Sequence, residues 1–378
     1  MKIAQFSYEY PPRTWGGLGI YLQGLVEFQR KAKDHVDVFF LGEGSPPDGL
    51  HSLPFLTDGE LVSYTLQEIA ERSRGVDYDA VICQDWPGIV ASRALWKRGV
   101  PLVVTCHLPL AWDIGSFEDV PCPFAKQMEM MSMACADSII AVSQAVRDEL
   151  EQSYSFTRGK IRVVHNGSDT TLFSPGAKTD TPTVLFVGRF VEQKGFDLLP
   201  EVFASLSQRH PGLRFRIIGT GPLQESVVRR LEERGLAHQT TFYDFSSQDT
   251  VLALYREATV VVMPSRFEPF GLVATESMAT ATPVVASRVS GLAEIITDGE
   301  DGFLVSPDDV HGFANAVSRL LTDPRLAQKI GVQARESATR KFSQNRCFAE
   351  TRAVYADTIE RHRSSRAREA RGALALKW

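Results

Sequence analysis

Two glutamates, Glu268 and Glu276, bracket the segment E-P-F-G-L-V-A-T-E. A carboxylate accepts hydrogen bonds from hydroxyl groups, and a pair of hydroxyl-binding acids at a fixed spacing can measure a ligand. An apolar run ends at Met263, a loop follows, and a helix is expected to begin near Gly271. Glu268 then stands before the helix and Glu276 about one and a half turns inside it. At about 1.5 Å rise per residue the two are separated by roughly 8–10 Å along the axis. A sugar and a ribose joined through a diphosphate span a similar length. The helix N-terminus between the acids would face the phosphates, with its N–H groups and positive dipole end. One carboxylate could hold sugar hydroxyls and the other the ribose hydroxyls. Taken singly, the acids could be an ordinary first-turn acid and a solvated helix face. Their spacing, together with Pro269, Phe270 and Gly271, favours the ligand-binding reading.

Two cations follow another strand end, in Gly188-Arg189-Phe190 and Lys194-Gly195. Lone surface cations are usually solvated, but at this edge they suit phosphate oxygens. Gly16-Gly17-Leu18-Gly19 lies between the first strand and a helix, where glycine lets a backbone approach a ligand closely. By itself it could equally be a tight turn. It lacks the G-x-G-x-x-G spacing, and no acid stands at a strand end some twenty positions on, so a nicotinamide enzyme is disfavoured. Asp77-Tyr78-Asp79 spells the D-x-D of metal-dependent transferases. It precedes a strand rather than following one, which puts it at the edge away from a ligand cleft. No metal site is expected.

These residues need a scaffold that gathers strand ends. Short apolar runs at Lys2–Phe6, Val36–Leu41, Ala80–Cys83, Leu102–Thr105, Ser138–Val142 and Arg162–Val164 read as buried strands. Gly19–Lys33, Ile89–Arg98 and Ser143–Gln152 read as helices between them. Asn166–Asp180 is rich in turn formers. The alternation then restarts with strands Thr183–Val187, Arg214–Ile218, Thr240–Tyr243, Thr259–Met263 and Pro283–Ala286. The intervening helices start near Phe196, Leu223 and Gly271, with another near Val251–Glu257. This rhythm implies α/β architecture, with two doubly wound parallel sheets that carry ligands at the carboxyl ends of their strands. The expected domains are residues 1–172, residues 181–345, and a C-terminal helix and basic tail over 346–378 that packs back on the first domain.

With 378 residues, 43% hydrophobic and 23% charged, the chain has ordinary globular composition. A formal net charge of -5 offers no general attraction for nucleic acid. Five cysteines without a C-x-x-C pair argue against a disulfide framework or a zinc site and for a reducing compartment. No signal-peptide core opens the sequence, and no apolar run reaches the roughly 18 residues of a membrane span. A cytoplasmic location is expected. Arg361, Arg363, Arg366, Arg368 and Arg371 crowd the tail, which reads as a solvated terminus rather than a membrane patch.

The E-P-F-G-L-V-A-T-E segment resembles the E-x7-E motif of the large retaining glycosyltransferase family that includes glycogen synthases and sucrose-phosphate synthases. The resemblance covers most of the chain. It extends to Glu9-Tyr10-Pro11-Pro12 with the following Gly16-Gly17-Leu18-Gly19, to His165-Asn166-Gly167, to Gly188-Arg189 with Lys194-Gly195, to Gly219-Thr220-Gly221-Pro222, and to Pro264-Ser265. It implies the GT-B fold, two Rossmann-like domains facing across a cleft, with a nucleotide diphosphate sugar as co-substrate and no metal or other cofactor. Arg189 and Lys194 would neutralise the diphosphate, Glu268 would hold the transferred sugar, and Glu276 would bind ribose. Backbone amides of Phe270, Gly271 and Leu272 would meet sugar hydroxyls and phosphate. Gly16, Gly17, Asn166 and Gly219 complete the implied donor site, and His107 sits where the family keeps a histidine near the donor sugar. The sequence departs from the pattern where Leu108-Pro109 replace an acid and Asp244 replaces a glycine.

The reading is therefore a metal-independent retaining hexosyltransferase. It would move glucose or GlcNAc to a hydroxyl of a glucan or a small-molecule acceptor. A nucleotide-sugar epimerase and a non-catalytic sugar-nucleotide sensor are the alternatives. Neither nucleic acid nor membrane is an expected partner.

Overall fold

The computed structural model of the chain describes residues 1–11, 17–41, 50–53, 75–85, 99–112, 122–243 and 247–375. They form two compact units, one of Met1–Val164 with Phe348–Trp378 and one of His165–Cys347. The expected helix Ile89–Arg98, Gly16 and Asp244 lie outside the described residues.

Among the described residues of the first unit, seven strands form one parallel sheet. They are β1 (Lys2–Ser7), β2 (His35–Leu41), β3 (Leu50–Leu53), β4 (Ala80–Gln84), β5 (Leu102–Cys106), β6 (Ser138–Ala141) and β7 (Ile161–Val163), in the order β3-β2-β1-β4-β5-β6-β7. β4 and β5 are buried along their whole length, as strands covered on both faces must be. Helix α1 (Gly17–Lys31) buries Leu18, Tyr21, Leu22, Leu25, Val26 and Gln29. It stops two residues short of the predicted end, because Lys33 has φ +64° and breaks the helical path. Helices α2 (Cys122–Cys135) and α3 (Gln144–Ser153) flank β6. Ser143 caps α3 by accepting a hydrogen bond from the Val146 amide at 3.1 Å.

The second unit repeats the plan with six parallel strands: β8 (Thr183–Val187), β9 (Arg214–Ile218), β10 (Thr240–Tyr243), β11 (Val260–Met263), β12 (Val284–Ser287) and β13 (Phe303–Val305), in the order β10-β9-β8-β11-β12-β13. Helices α4 (Leu199–Arg209), α5 (Gln224–Glu233), α6 (Gln248–Glu257), α7 (Leu272–Ala279), α8 (Leu292–Ile295), α9 (Val310–Thr322) and α10 (Pro324–Lys341) connect and cover them. Strands β3 and β13 and helices α2 and α8 to α10 were not expected from the sequence. The core is aromatic. Phe190 stacks on Phe196 with ring centroids 4.0 Å apart and planes within 7°, and Phe203 stacks on Phe215 in the same way at 4.0 Å.

The last helix, α11 (Gln344–Ala375), belongs to the first unit from Phe348 onward. Phe348 packs edge-on against Tyr21, the Ser138 and Thr358 hydroxyls lie 2.7 Å apart, and Arg352 holds Asp34 through two bonds of 2.7 and 3.0 Å. Several of the tail arginines are engaged rather than simply solvated. Arg361 reaches Asp357 and Ser138, Arg363 pairs with Asp79, and Arg366 donates to the Gly99 carbonyl. No helix among the described residues is long and apolar enough to cross a membrane.

Phe190 is fully buried and connects the β8 loop to the core. Its replacement by alanine should lower stability by about 3–5 kcal/mol. Val332→Ala, at a position 59% exposed, should stay within about 0.5 kcal/mol. Urea unfolding of the two variants measures both.

Candidate functional site

In the second sheet the strand order reverses between β8 and β11, which are hydrogen-bonded neighbours. Connections from two such strands leave toward opposite faces, and the crevice beyond their carboxyl ends is the natural ligand site of an open parallel sheet. The loop after β8 carries Arg189 and Lys194, and the loop after β11 carries Glu268. They meet there. Lys194 Nζ donates to Glu268 Oε2 at 2.6 Å, with the side chains 21% and 10% exposed. The Ser265 hydroxyl lies 3.4 Å from the same oxygen.

Arg266 fastens the two loops together. Its amide donates to the Gln193 carbonyl at 2.8 Å. Its guanidinium takes both oxygens of Asp197 at 2.8 Å, Asp308 at 2.9 Å and the Glu192 carbonyl at 2.5 Å. Burial alone would raise the Asp197 carboxyl, but the Arg266 bonds outweigh it and hold the group below its ordinary range. The backbones also touch: a Cβ at position 195 would lie 2.0 Å from the Pro264 carbonyl oxygen. Lys194 therefore has a fixed position rather than a floppy one.

Helix α7 begins beside Glu268. Gly271 enters it at φ +117°, a conformation side chains rarely adopt, and no side chain caps the helix start. The Glu268 carbonyl accepts the Gly291 amide at 3.0 Å, which ties the approach to this helix to the start of α8. Inside α7, Glu276 accepts a hydrogen bond from the Tyr255 hydroxyl at 2.9 Å. Burial pushes the Glu276 carboxyl up to about 7, against the opposing effect of the Tyr255 bond.

Other predicted residues of this unit surround the pair. Arg189 is exposed, with Nη2 3.5 Å from Gln193 Oε1. Gly219 packs under the β8 loop, where a Cβ would fall 1.9 Å from the Gly188 carbonyl oxygen. Asn166 is buried, and its neighbour His165 bonds Glu294 at 2.9 Å between the rings of Phe270 and Phe342. Phe270 is buried, and Leu272 is the first residue of α7.

In the first unit, Gly17 starts α1. His107 follows β5, with its Nε2 2.9 Å from Gln84 Oε1. Burial drops the His107 pKa to about 3, so its ring is neutral at physiological pH. Asp79 accepts the Lys2 amide and pairs with Arg363, at the edge where β1 begins.

Sequence reasoning missed Asp85, directly after β4. It adopts φ +58° and accepts the amides of His107 at 2.6 Å and Leu108 at 3.3 Å. Burial pushes its carboxyl up to about 8, with the charges of Glu129 and Glu9 adding to the rise and the two amide bonds opposing it. An acid following a strand was a readable signal. Tyr255 and Arg266 were missed because their partners lie far along the chain.

A carboxyl whose folded pKa is raised binds more protons in the folded state than in the unfolded chain. Glu276 therefore favours folding at low pH, and this contribution is lost as pH rises from its ordinary 4.5 to about 7. Glu276→Gln should raise the melting temperature at pH 8 and change it little at pH 4. An equal effect at both values would remove the strained carboxylate from the account.

The family described as "Glycosyl transferases group 1" matches residues 168–337, and "Glycosyltransferase Family 4" matches residues 15–172. An uncharacterized glycosyltransferase of Methanocaldococcus jannaschii is 30% identical, over 95% of this chain and 99% of that one. The alpha-maltose-1-phosphate synthase of Mycolicibacterium smegmatis is 30% identical, over 94% of this chain and 99% of its own length. Among solved structures, the sucrose-phosphate synthase of Thermosynechococcus elongatus superposes with a TM-score of 0.81 at 24% identity, over 95% of this chain and 99% of that one. The fold is GT-B, with two Rossmann-like units, and the chain belongs to the group 1 glycosyl transferases.

Proposed function

We propose that the chain is a retaining, metal-independent hexosyltransferase. It takes glucose from a nucleoside diphosphate donor, with GlcNAc as the next candidate, and delivers it to a hydroxyl of a glucan or small-molecule acceptor. The observation that carries this reading is the Lys194–Glu268 contact beside the start of α7, with Glu276 further along the same helix. A donor laid along that line has its sugar at Glu268, its diphosphate at Lys194, Arg189 and the helix amides, and its ribose at Glu276. Relatives support the sugar: one bears the name alpha-maltose-1-phosphate synthase and another glycogen synthase.

As the bond from the sugar to the outer phosphate breaks, negative charge builds on that phosphate. A cation already in position stabilises it without reorganising at that moment, which is the usual largest catalytic contribution. Glu268 would exchange part of its contact with Lys194 for the sugar hydroxyls. No side chain is assigned as a covalent nucleophile. The transfer is a same-face substitution in which the acceptor oxygen bonds to the sugar carbon where the phosphate departs, and the proton of the acceptor hydroxyl passes to that departing phosphate.

Lys194→Ala should slow transfer by roughly 10²–10³, about 3–4 kcal/mol of transition-state stabilisation. Unchanged turnover, in an assay that first fixes the donor by thermal shift against a panel of nucleotide sugars, would overturn the assignment. Glu276 must be ionised to accept two ribose hydroxyls. Donor affinity should therefore weaken about tenfold between pH 8 and pH 6, one unit below its pKa of about 7. A nucleotide sugar carries no phosphate that titrates in that window, so Glu276→Gln should bind weakly and without pH dependence. Titration calorimetry at the two pH values reads both outcomes.

A further inference from the structure

Three buried glutamines and a half-buried histidine form a continuous chain in the first unit. Gln5 lies in β1, Gln84 ends β4, His107 follows β5, and Gln29 lies on α1. Register explains how they meet. Gln5 pairs with Ile82, and Gln84 is two residues further along the same face of β4. Gln84 in turn pairs with Thr105, and His107 is two residues beyond it. Each step moves one strand across and two residues toward the carboxyl edge. Helix α1 presents Gln29 to Gln5 at one end and Tyr21, two turns earlier, edge-on to the His107 ring at 5.0 Å.

The bonds run in one direction. Gln5 Nε2 donates to Gln29 Oε1 at 2.9 Å, and Gln84 Nε2 donates to Gln5 Oε1 at 3.0 Å. This leaves Gln84 Oε1 facing His107 Nε2 at 2.9 Å. With the amides in this orientation a carbonyl oxygen faces the ring, and an oxygen only accepts; His107 Nε2 then carries the proton and Nδ1 of the neutral ring is a bare acceptor. All three glutamines have no exposed surface. Gln29 Nε2 has no partner among the described residues. Burying amides this way costs stability that leucines would not, which suggests a role other than packing.

We propose that Gln29, Gln5 and Gln84 are positioning residues that lock His107 in its Nε2–H tautomer, so that Nδ1 accepts a hydrogen bond from a substrate hydroxyl. The inference rests on the hexosyltransferase reading for its substrate, but the tautomer itself is measured without one.

The test uses the full chain labelled with [15N]histidine. Its eight histidines give resolvable ring signals, and His107 is identified by comparison with His107→Asn. Long-range proton–nitrogen spectra at pH 8 distinguish protonated from bare nitrogens. The wild type should show His107 with Nε2 protonated and Nδ1 bare. Gln5→Leu breaks the chain and frees the Gln84 amide to turn. It should give mixed tautomers and a kcat lower by about 3- to 10-fold, the worth of one hydrogen bond, with nucleoside diphosphate affinity unchanged. Gln5→Glu, compared with the wild type at pH 5.5, should keep both properties, because a buried acid is neutral there, donates to Gln29 and accepts from Gln84. If Gln5→Leu does not fold, Gln84→Met tests the same link.

A protonated Nδ1 in the wild type, or an unchanged tautomer in Gln5→Leu, would overturn the chain. A shifted tautomer with unchanged kcat would overturn its role in transfer. If no nucleotide sugar supports transfer, the proposed function fails while the spectra still decide the tautomer.

Discussion

The position of one ammonium group organises the second unit. Lys194 would be a mobile surface cation on an isolated loop. It is held instead because two neighbouring strands send their connections in opposite directions and the loops close on each other through Arg266. The strand reversal between β8 and β11 supplies the crevice, Gly195 lets the loop pass against the Pro264 carbonyl, and Glu268 receives the charge. The uncapped start of α7 then lies next to a cation, so backbone and side chain favour the same kind of ligand. Each part is common in proteins, and here they meet at one sheet edge.

Both units keep polar groups where apolar ones would be more stable. Glu276 and Asp85 carry carboxyls raised by burial, and three amides cross the first sheet without any exposed surface. Local violations of good packing of this kind concentrate where a fold serves chemistry. The acids also differ in what restrains them. Glu276 has one hydroxyl partner, whereas Asp85 is occupied by two backbone amides that shape the turn after β5. The first carboxyl keeps the capacity to accept further hydrogen bonds, whereas the second is already used by the turn.

Much of this was legible in the sequence. Long apolar runs such as Val36–Leu41 and Thr183–Val187 gave strands within a residue or so of their observed ends, because strands buried on both faces leave little choice of residue. Short strands were hidden: Phe303–Val305 is three residues between turn formers, and Leu50–Leu53 is only four residues long. The Lys194–Glu268 contact could be anticipated because both residues follow strands. The bond from Tyr255 to Glu276 could not, since it depends on how α6 lies beside α7. The glutamine chain was hidden for another reason. Gln5 sits inside a run read as a buried strand and Gln84 just past another, and only the register between strands shows that they touch.

The second unit is one continuous stretch, residues 165–347, whereas the first is completed by a helix from the end of the chain. Contacts such as Asp34 with Arg352 join residues 318 positions apart. During synthesis the second unit can finish its sheet while the first still lacks its closing helix. The described strands of the first unit precede the second unit in the chain, and its closing helix follows it. Until α11 has been made, the faces of Tyr21 and Phe28 that receive Phe348 stay uncovered. A chain cut short before Phe348 would leave those two rings without this partner while every residue of the second unit is present.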